Sequence, residues 1–283
     1  MQDEHVSILE LALLGAFSVL SLVGLKFLHS SRSAIRFHPA PATEVPLWSE
    51  SLAIVAVMAF FLFPGIIFVF SMAVEELLKG RFEQLPWMAI HITVSSLLGG
   101  GLVVFVIWQI VVGFLRQPAA TLGLCGAPWA NLPPVVLFFV LFFSPLLLSS
   151  FLWEYFLDSR GYELIPQEVV KMFNDAIAEG NILELSLLVF TAVVLAPLWE
   201  ELIFRGFFFG LFRSRWGTVP ALVFSSAVFA AIHLNLFALL PLFFVGLALG
   251  YIYYRTRSIY FAILFHALFN SVMLFIQWLL AGS

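Results

Sequence analysis

The stretch ILELSLLVFTAVVLAPLWEELIFRGFFFGLF, residues 182–212, is apolar over most of its length, yet it carries Glu200, Glu201 and Arg205 within one and a half helical turns. A hydrocarbon core about 30 Å thick is crossed by about 20 residues of helix, so this run spans a bilayer with residues to spare. A helix of that length is expected to tilt or kink, and Pro197, which lacks an N–H, is where the kink is expected.

Working outward from it, similar runs lie near 7–28, 51–74, 87–114, 133–153, 218–236, 238–254 and 258–280. Continuous Leu, Val, Ile and Phe exclude a membrane β-barrel, whose strands alternate apolar and polar residues over about ten positions. The chain is 62% hydrophobic and 11% charged, against about 25% charged for soluble domains. The fold class that follows is an all-α polytopic membrane protein, a bundle of about eight transmembrane helices.

The first run lacks the basic leader and small-residue cleavage site of a signal peptide and is read as a retained helix. One cysteine, Cys125, permits no internal disulfide and has no CxxC partner. A net charge of −4 and the absence of a Gly-rich phosphate loop exclude nucleic acid as a partner. Membrane lipid is the partner expected.

Basic residues favour cytoplasmic loops. With the N-terminus outside, Lys26, Arg32, Arg36, Arg116, Arg213, Arg215, Arg255 and Arg257 lie inside, while Lys79, Arg81, Arg160 and Lys171 lie outside. The organisation expected is an N-terminal, divergent or added region over 1–115 and a catalytic region over 116–283, with its core at 181–276. Polar insertions interrupt the spans at 29–50 and 154–181. In the second, Val169, Val170, Phe173, Ala176 and Ile177 recur at helical spacing, which predicts an amphipathic surface helix. Glycines at 99–101, Gly206 with Gly210, and Gly246 with Gly250 read as close helix contacts.

An ionisable side chain at the bilayer centre costs about 2.5–3.5 kcal/mol even on the lenient insertion scale, so it faces a partner or a wet cavity. Glu200, Glu201, Arg205, His233, His266 and Asn270 meet that description, from helices that place them at similar depth. Glu201 and Arg205 stand i, i+4 and pair along one face; Glu200, rotated by about 100°, points elsewhere. His266 and Asn270 are also i, i+4 and face a common point. His91 reads as a hydrogen-bonded packing residue.

A glutamate without an obligate partner, close to a histidine, can hold a water and take its proton as the water attacks a carbonyl. Aligned donors on His266 and Asn270 can stabilise the oxyanion. Ser-His or Cys-His chemistry fits less well, because no GxSxG elbow is present and Cys125 lies between spans. The zinc motif HExxH is absent, although two Glu and two His are donor types that a metal accepts.

The motifs EELIFRG, FAAIH and HALFN match, in order, the EExxxR, FxxxH and HxxxN signatures. By them the chain resembles the CPBP family, intramembrane glutamic endopeptidases similar to the type II CAAX prenyl endopeptidase, over about residues 181–276. The resemblance implies Glu200 as general base and His233 as a holder of the nucleophilic water. It implies that Glu201 and Arg205 organise the site and that His266 and Asn270 form the oxyanion hole. It further implies a metal-independent reaction without cofactor, a helix bundle around an intramembrane catalytic cavity open to the cytosol, and residence in the bacterial inner (plasma) membrane. The partner it implies is a peptide or membrane-protein substrate; substrates in such a family include prenylated C-termini and, among bacterial relatives, membrane-anchored signals, so a lipidated substrate stays open. The rival expectations are a non-catalytic scaffold or bacteriocin-immunity protein that binds a peptide in the cavity, and an ion-coupled transporter.

Overall fold

The computed structural model describes residues 50–281 except 79, 127 and 164–166, together with 37–40 and positions 15, 18, 19, 22 and 26. Among them the fold is all helical. The helices are α1 (Glu50–Leu78), α2 (Trp87–Phe114), α3 (Leu132–Asp158), α4 (Glu168–Glu179), α5 (Ile182–Trp216), α6 (Thr218–Ala231), α7 (Leu236–Thr256) and α8 (Ile259–Ala281). Six helices, all but α4 and α6, are long and apolar enough to cross a membrane among the described residues. The chain is an integral, polytopic membrane protein. The span expected at 7–28 lies outside the described residues apart from Gly15, Ser18, Val19, Leu22 and Lys26, which are helical.

The span expected at 218–236 is instead the 14-residue α6, about 21 Å long at 1.5 Å per residue and short of a full crossing. It ends at Ala231, and His233 lies on the turn that follows rather than on the helix. Leu234, at φ 50°, reverses the chain, and the side chain of Asn235 caps α7 by accepting from the N–H of Ala238 at 2.9 Å. Non-helical backbone at membrane depth is tolerated where protein surrounds it or a cavity adjoins it.

α6 and α7 form a close hairpin, as the glycines predicted. A Cβ on Gly246 would come within 2.9 Å of Ser226 Cβ and 3.0 Å of Ser226 Cα, and one on Gly250 within 2.7 Å of Leu222. The core is aromatic: Phe143, Phe204, Phe207, Phe229 and Phe265 are fully buried beside Leu249 and Ile252. α1 does the opposite, exposing Ile54, Met58, Phe61, Leu62, Ile66, Val69 and Phe70. An exposed patch of that kind on a soluble protein would be an aggregation site; on a helix of this length it is the face presented to lipid tails.

The amphipathic helix expected in the acidic insertion is α4. It buries Met172, Phe173 and Ala176, the first two in a small cluster with Ala89 and Leu188, and Gln277 of α8 donates to Asn174 Oδ1 at 3.0 Å. At the other end of the bundle, residues 37–40 are strapped down. Asn131 accepts from the His38 N–H at 2.7 Å and donates to the His38 carbonyl at 2.8 Å, and the Ala40 N–H donates to Thr256 O at 2.9 Å. Arg213, Arg215 and Arg255, in the last turns of α5 and α7, and Arg116 and Arg257, in the connections, lie at this end.

Candidate active site

α5 is the helix that carries the glutamates, and it is not a uniform α-helix. A π-helical turn, Thr191–Leu195, precedes Pro197, and a second, Leu202–Phe208, follows Glu201. In π register the Ala192 carbonyl would pair with the N–H five residues on. That residue is Pro197, which has none. Asn270, reaching across from α8, donates Nδ2–H to Ala192 O at 2.7 Å and fills the gap. The kink expected at Pro197 thus takes the form of a wide turn closed by a side chain from another helix. One of the two Nδ2 protons of Asn270 is engaged there.

Between the π turns, Glu200 and Glu201 point apart, as their 100° separation requires. Glu201 is fully buried and its Oε1 accepts twice, from Arg205 Nη1 at 2.8 Å and from His266 Nδ1 at 2.8 Å. The i, i+4 pairing with Arg205 is the one expected from the spacing. Arg205 also donates from Nη2 to the Gly246 carbonyl at 3.2 Å and lies 4.6 Å above the centre of the Phe229 ring. A buried ion pair offsets its desolvation only when further hydrogen bonds satisfy the remaining polar groups. The Gly246 carbonyl and the Phe229 face do this for the cation.

Because Nδ1 of His266 faces a carboxylate oxygen, Nδ1 carries a proton, and the opposite nitrogen, Nε2, points to Glu200. Nε2 stands 3.9 Å from Glu200 Oε2, beyond a hydrogen bond and within reach of one by a small side-chain movement. Glu200 Oε2 is buried without a hydrogen-bond partner among the described residues. His233 is half-buried. Its Nδ1 donates to the Phe229 carbonyl at 2.8 Å, which leaves Nε2 as an acceptor.

The structure therefore gathers the sequence-predicted residues in two steps. Glu200, Glu201, Arg205 and His266 form one connected cluster. His233 joins it through Phe229, whose ring is 5.0 Å from the His233 ring and 5.9 Å from the His266 ring. Asn270 sits one turn beyond His266 with its amide on α5.

A cavity of about 300 Å³ opens beside Glu200. α5 lines it with Ala196, Trp199, Glu200 and Ile203, one face of the helix; α1 contributes Phe60, Pro64 and Phe68, and α2 contributes Gly100 and Val103. Sequence reasoning missed Trp199, the Gly246 carbonyl and the α1 wall. The signal for Trp199 was present as the aromatic residue directly before the glutamate pair. The other two depend on which helices meet, and no local pattern encodes that.

Residues 182–272 match the model of a family described as type II CAAX prenyl endopeptidase Rce1-like. The "UPF0177 protein YaiF" of Lactococcus lactis is 28% identical over 51% of this chain and 63% of its own length. The "Putative membrane peptidase YdiL" of Bacillus subtilis is 29% identical over 32% of this chain and 37% of its own. An "Uncharacterized 24.3 kDa protein" of Escherichia coli is 35% identical over 31% of this chain and 43% of its own. The chain thus spans less than two thirds of the length of each of these relatives. No solved structure matches it.

Proposed function

We propose that this protein, whose residues 182–272 match the type II CAAX prenyl endopeptidase Rce1-like family, is an intramembrane endopeptidase using glutamate-activated water. The observation that carries the reading is the placement of the two glutamates: each has a buried Oε2 without a hydrogen-bond partner among the described residues, but Glu201 is tied through Oε1 to Arg205 and His266, while Glu200 lines a cavity.

The reaction runs as follows on these side chains. A water held between Glu200 and Nε2 of His233 attacks the peptide carbonyl, and Glu200 takes its proton. The new C–O bond places charge on the carbonyl oxygen. The second Nδ2 proton of Asn270 stabilises that charge, and His266 adds to it once its Nε2 has been protonated. The proton on Glu200 passes across the short gap to Nε2 of His266, forming an imidazolium that Glu201 supports at Nδ1. His266 then gives the proton to the leaving amine as the C–N bond breaks. Arg205 holds Glu201 in place, and Glu201 holds His266, in the sense in which a buried aspartate orients a catalytic histidine.

The substrate is a peptide bond near the C-terminus or membrane anchor of a membrane or lipidated protein, which reaches the site within the bilayer. The active site faces the cytosol of a bacterial inner membrane, with the N-terminus outside, a reading supported by the arginines at the strapped end of the bundle. Membrane-protein termini compared by mass spectrometry between cells with the wild-type chain and cells with Glu200→Gln at equal expression test this. Processed termini that vanish in the variant are expected. Identical termini, with the variant still complementing a deletion, would support a binding scaffold instead.

A further inference from the structure

The indole N–H of Trp199 is buried and, like Glu200 Oε2, has no hydrogen-bond partner among the described residues. Both residues line the same cavity. An indole nitrogen only donates and an ionised carboxylate only accepts, and each buried polar group left unpaired costs about 1–3 kcal/mol. Unpaired groups of opposite kind on adjacent residues match a ligand that offers both an acceptor and a donor. A peptide backbone does so at every residue.

The indole is fixed in place by close packing. Its ring lies against Gly100, where a Cβ would meet Trp199 Cδ1 at 2.5 Å, so only glycine lets the ring adopt this position. Ser95, the neighbouring hydroxyl on the cavity wall, is engaged elsewhere, donating to Pro64 O at 2.7 Å. Opposite the polar pair the wall is apolar: Phe60, Phe68, Ile92 and Val103. At about 300 Å³ the cavity sits at the low end of the roughly 300–1,000 Å³ of small-ligand sites. That space suits one residue of an extended chain with a bulky apolar side chain.

Building on the proteolytic reading, we propose that Trp199 is a specificity-determining residue. Its indole N–H holds a backbone carbonyl of the substrate next to the scissile bond, while that residue's apolar side chain fills the wall made by α1 and α2. Those helices lie outside the segment matched to the family, so the fit of the apolar side chain is set by the N-terminal part of this chain, while Trp199 and the reacting groups belong to the segment 182–272.

The test uses the full chain and a synthetic peptide spanning a cleavage site found by comparing wild-type and Glu200→Gln termini. Trp199→Phe removes the donor and keeps a ring against Gly100. The expected result is a fall of about tenfold in kcat/KM with a Tm unchanged or raised, because the lost N–H has no partner in the protein. Replacing the apolar residue of the peptide by Asn should reduce wild-type cleavage in parallel. A kcat/KM within twofold of wild type, or a Tm that falls together with activity, overturns the assignment and leaves the protease intact. If no terminus depends on Glu200, the proteolytic reading falls, and this subsite falls with it.

Discussion

His266 and Asn270 stand one helical turn apart on α8 yet grip different parts of α5: His266 holds the Glu201 carboxylate at 2.8 Å, and Asn270 holds the Ala192 carbonyl at 2.7 Å. These contacts fix the glutamate-bearing segment between its two π turns. Displacing either should alter where Glu200 points.

Removing Asn270 should therefore act on structure as well as on chemistry. Asn270→Ala leaves the Ala192 carbonyl without its donor and should destabilise the protein by about 1–3 kcal/mol, read as a lower Tm in detergent. Asn270→Asp keeps the size of the side chain and loses the donor. It is expected to fall with Asn270→Ala in both stability and activity.

Glu201 and Arg205 should prove structural first. Arg205→Met leaves the Glu201 carboxylate buried beside His266 alone, and breaking a buried pair from one side costs about 3–5 kcal/mol. Lower yield of folded protein and a lower Tm are expected. Glu200→Gln should abolish cleavage while leaving Tm near that of wild type, since Glu200 Oε2 has no hydrogen-bond partner to lose among the described residues. Equal thermal losses for the two variants would contradict this division of roles.

Gly246 carries two duties, close approach to Ser226 and a carbonyl for Arg205. Gly246→Ala sets a methyl group 3.0 Å from the Ser226 backbone, which parts α6 from α7 and lengthens the bond to Arg205. A destabilisation of about 1–3 kcal/mol and reduced cleavage are expected, with Gly101→Ala, whose Cβ meets nothing within 4 Å, as the silent control.

Cys125 reports on topology. Burial pushes its thiol up from the ordinary range, and Sγ donates to the Arg257 carbonyl at 3.1 Å. A raised value keeps the thiol protonated to higher pH, so less of the reactive thiolate is present at pH 7 than for a free cysteine. Maleimide labelling should be slow at neutral pH and accelerate above the ordinary thiol range. In inside-out vesicles an impermeant maleimide should reach it; labelling only in right-side-out vesicles would reverse the proposed orientation.

A strong chelator should leave cleavage unchanged if Glu200 and the histidines activate water without help. Loss of activity restored by zinc would replace the glutamate mechanism with a metal one.

Much of this protein was legible in its sequence because the bilayer imposes a simple rule. Spans must be about 20 apolar residues long, and anything ionisable within them must have a reason to be there. That rule located the long helices and drew attention to Glu200, Glu201, Arg205, His233, His266 and Asn270. The i, i+4 spacing identified which glutamate Arg205 would take. α6 escaped, because hydropathy does not register where a helix stops: the apolar run continues through His233, while the backbone turns at Ile232–Leu234. Other facts depended on the tertiary structure, since they join residues far apart in the chain. Asn270 supplies the donor that Pro197 lacks, His266 is bound to Glu201 on its Nδ1 side, and Gly100 makes room for Trp199. Helical periodicity sets the direction of a side chain on its own helix. The partner it meets is decided only by how the helices pack.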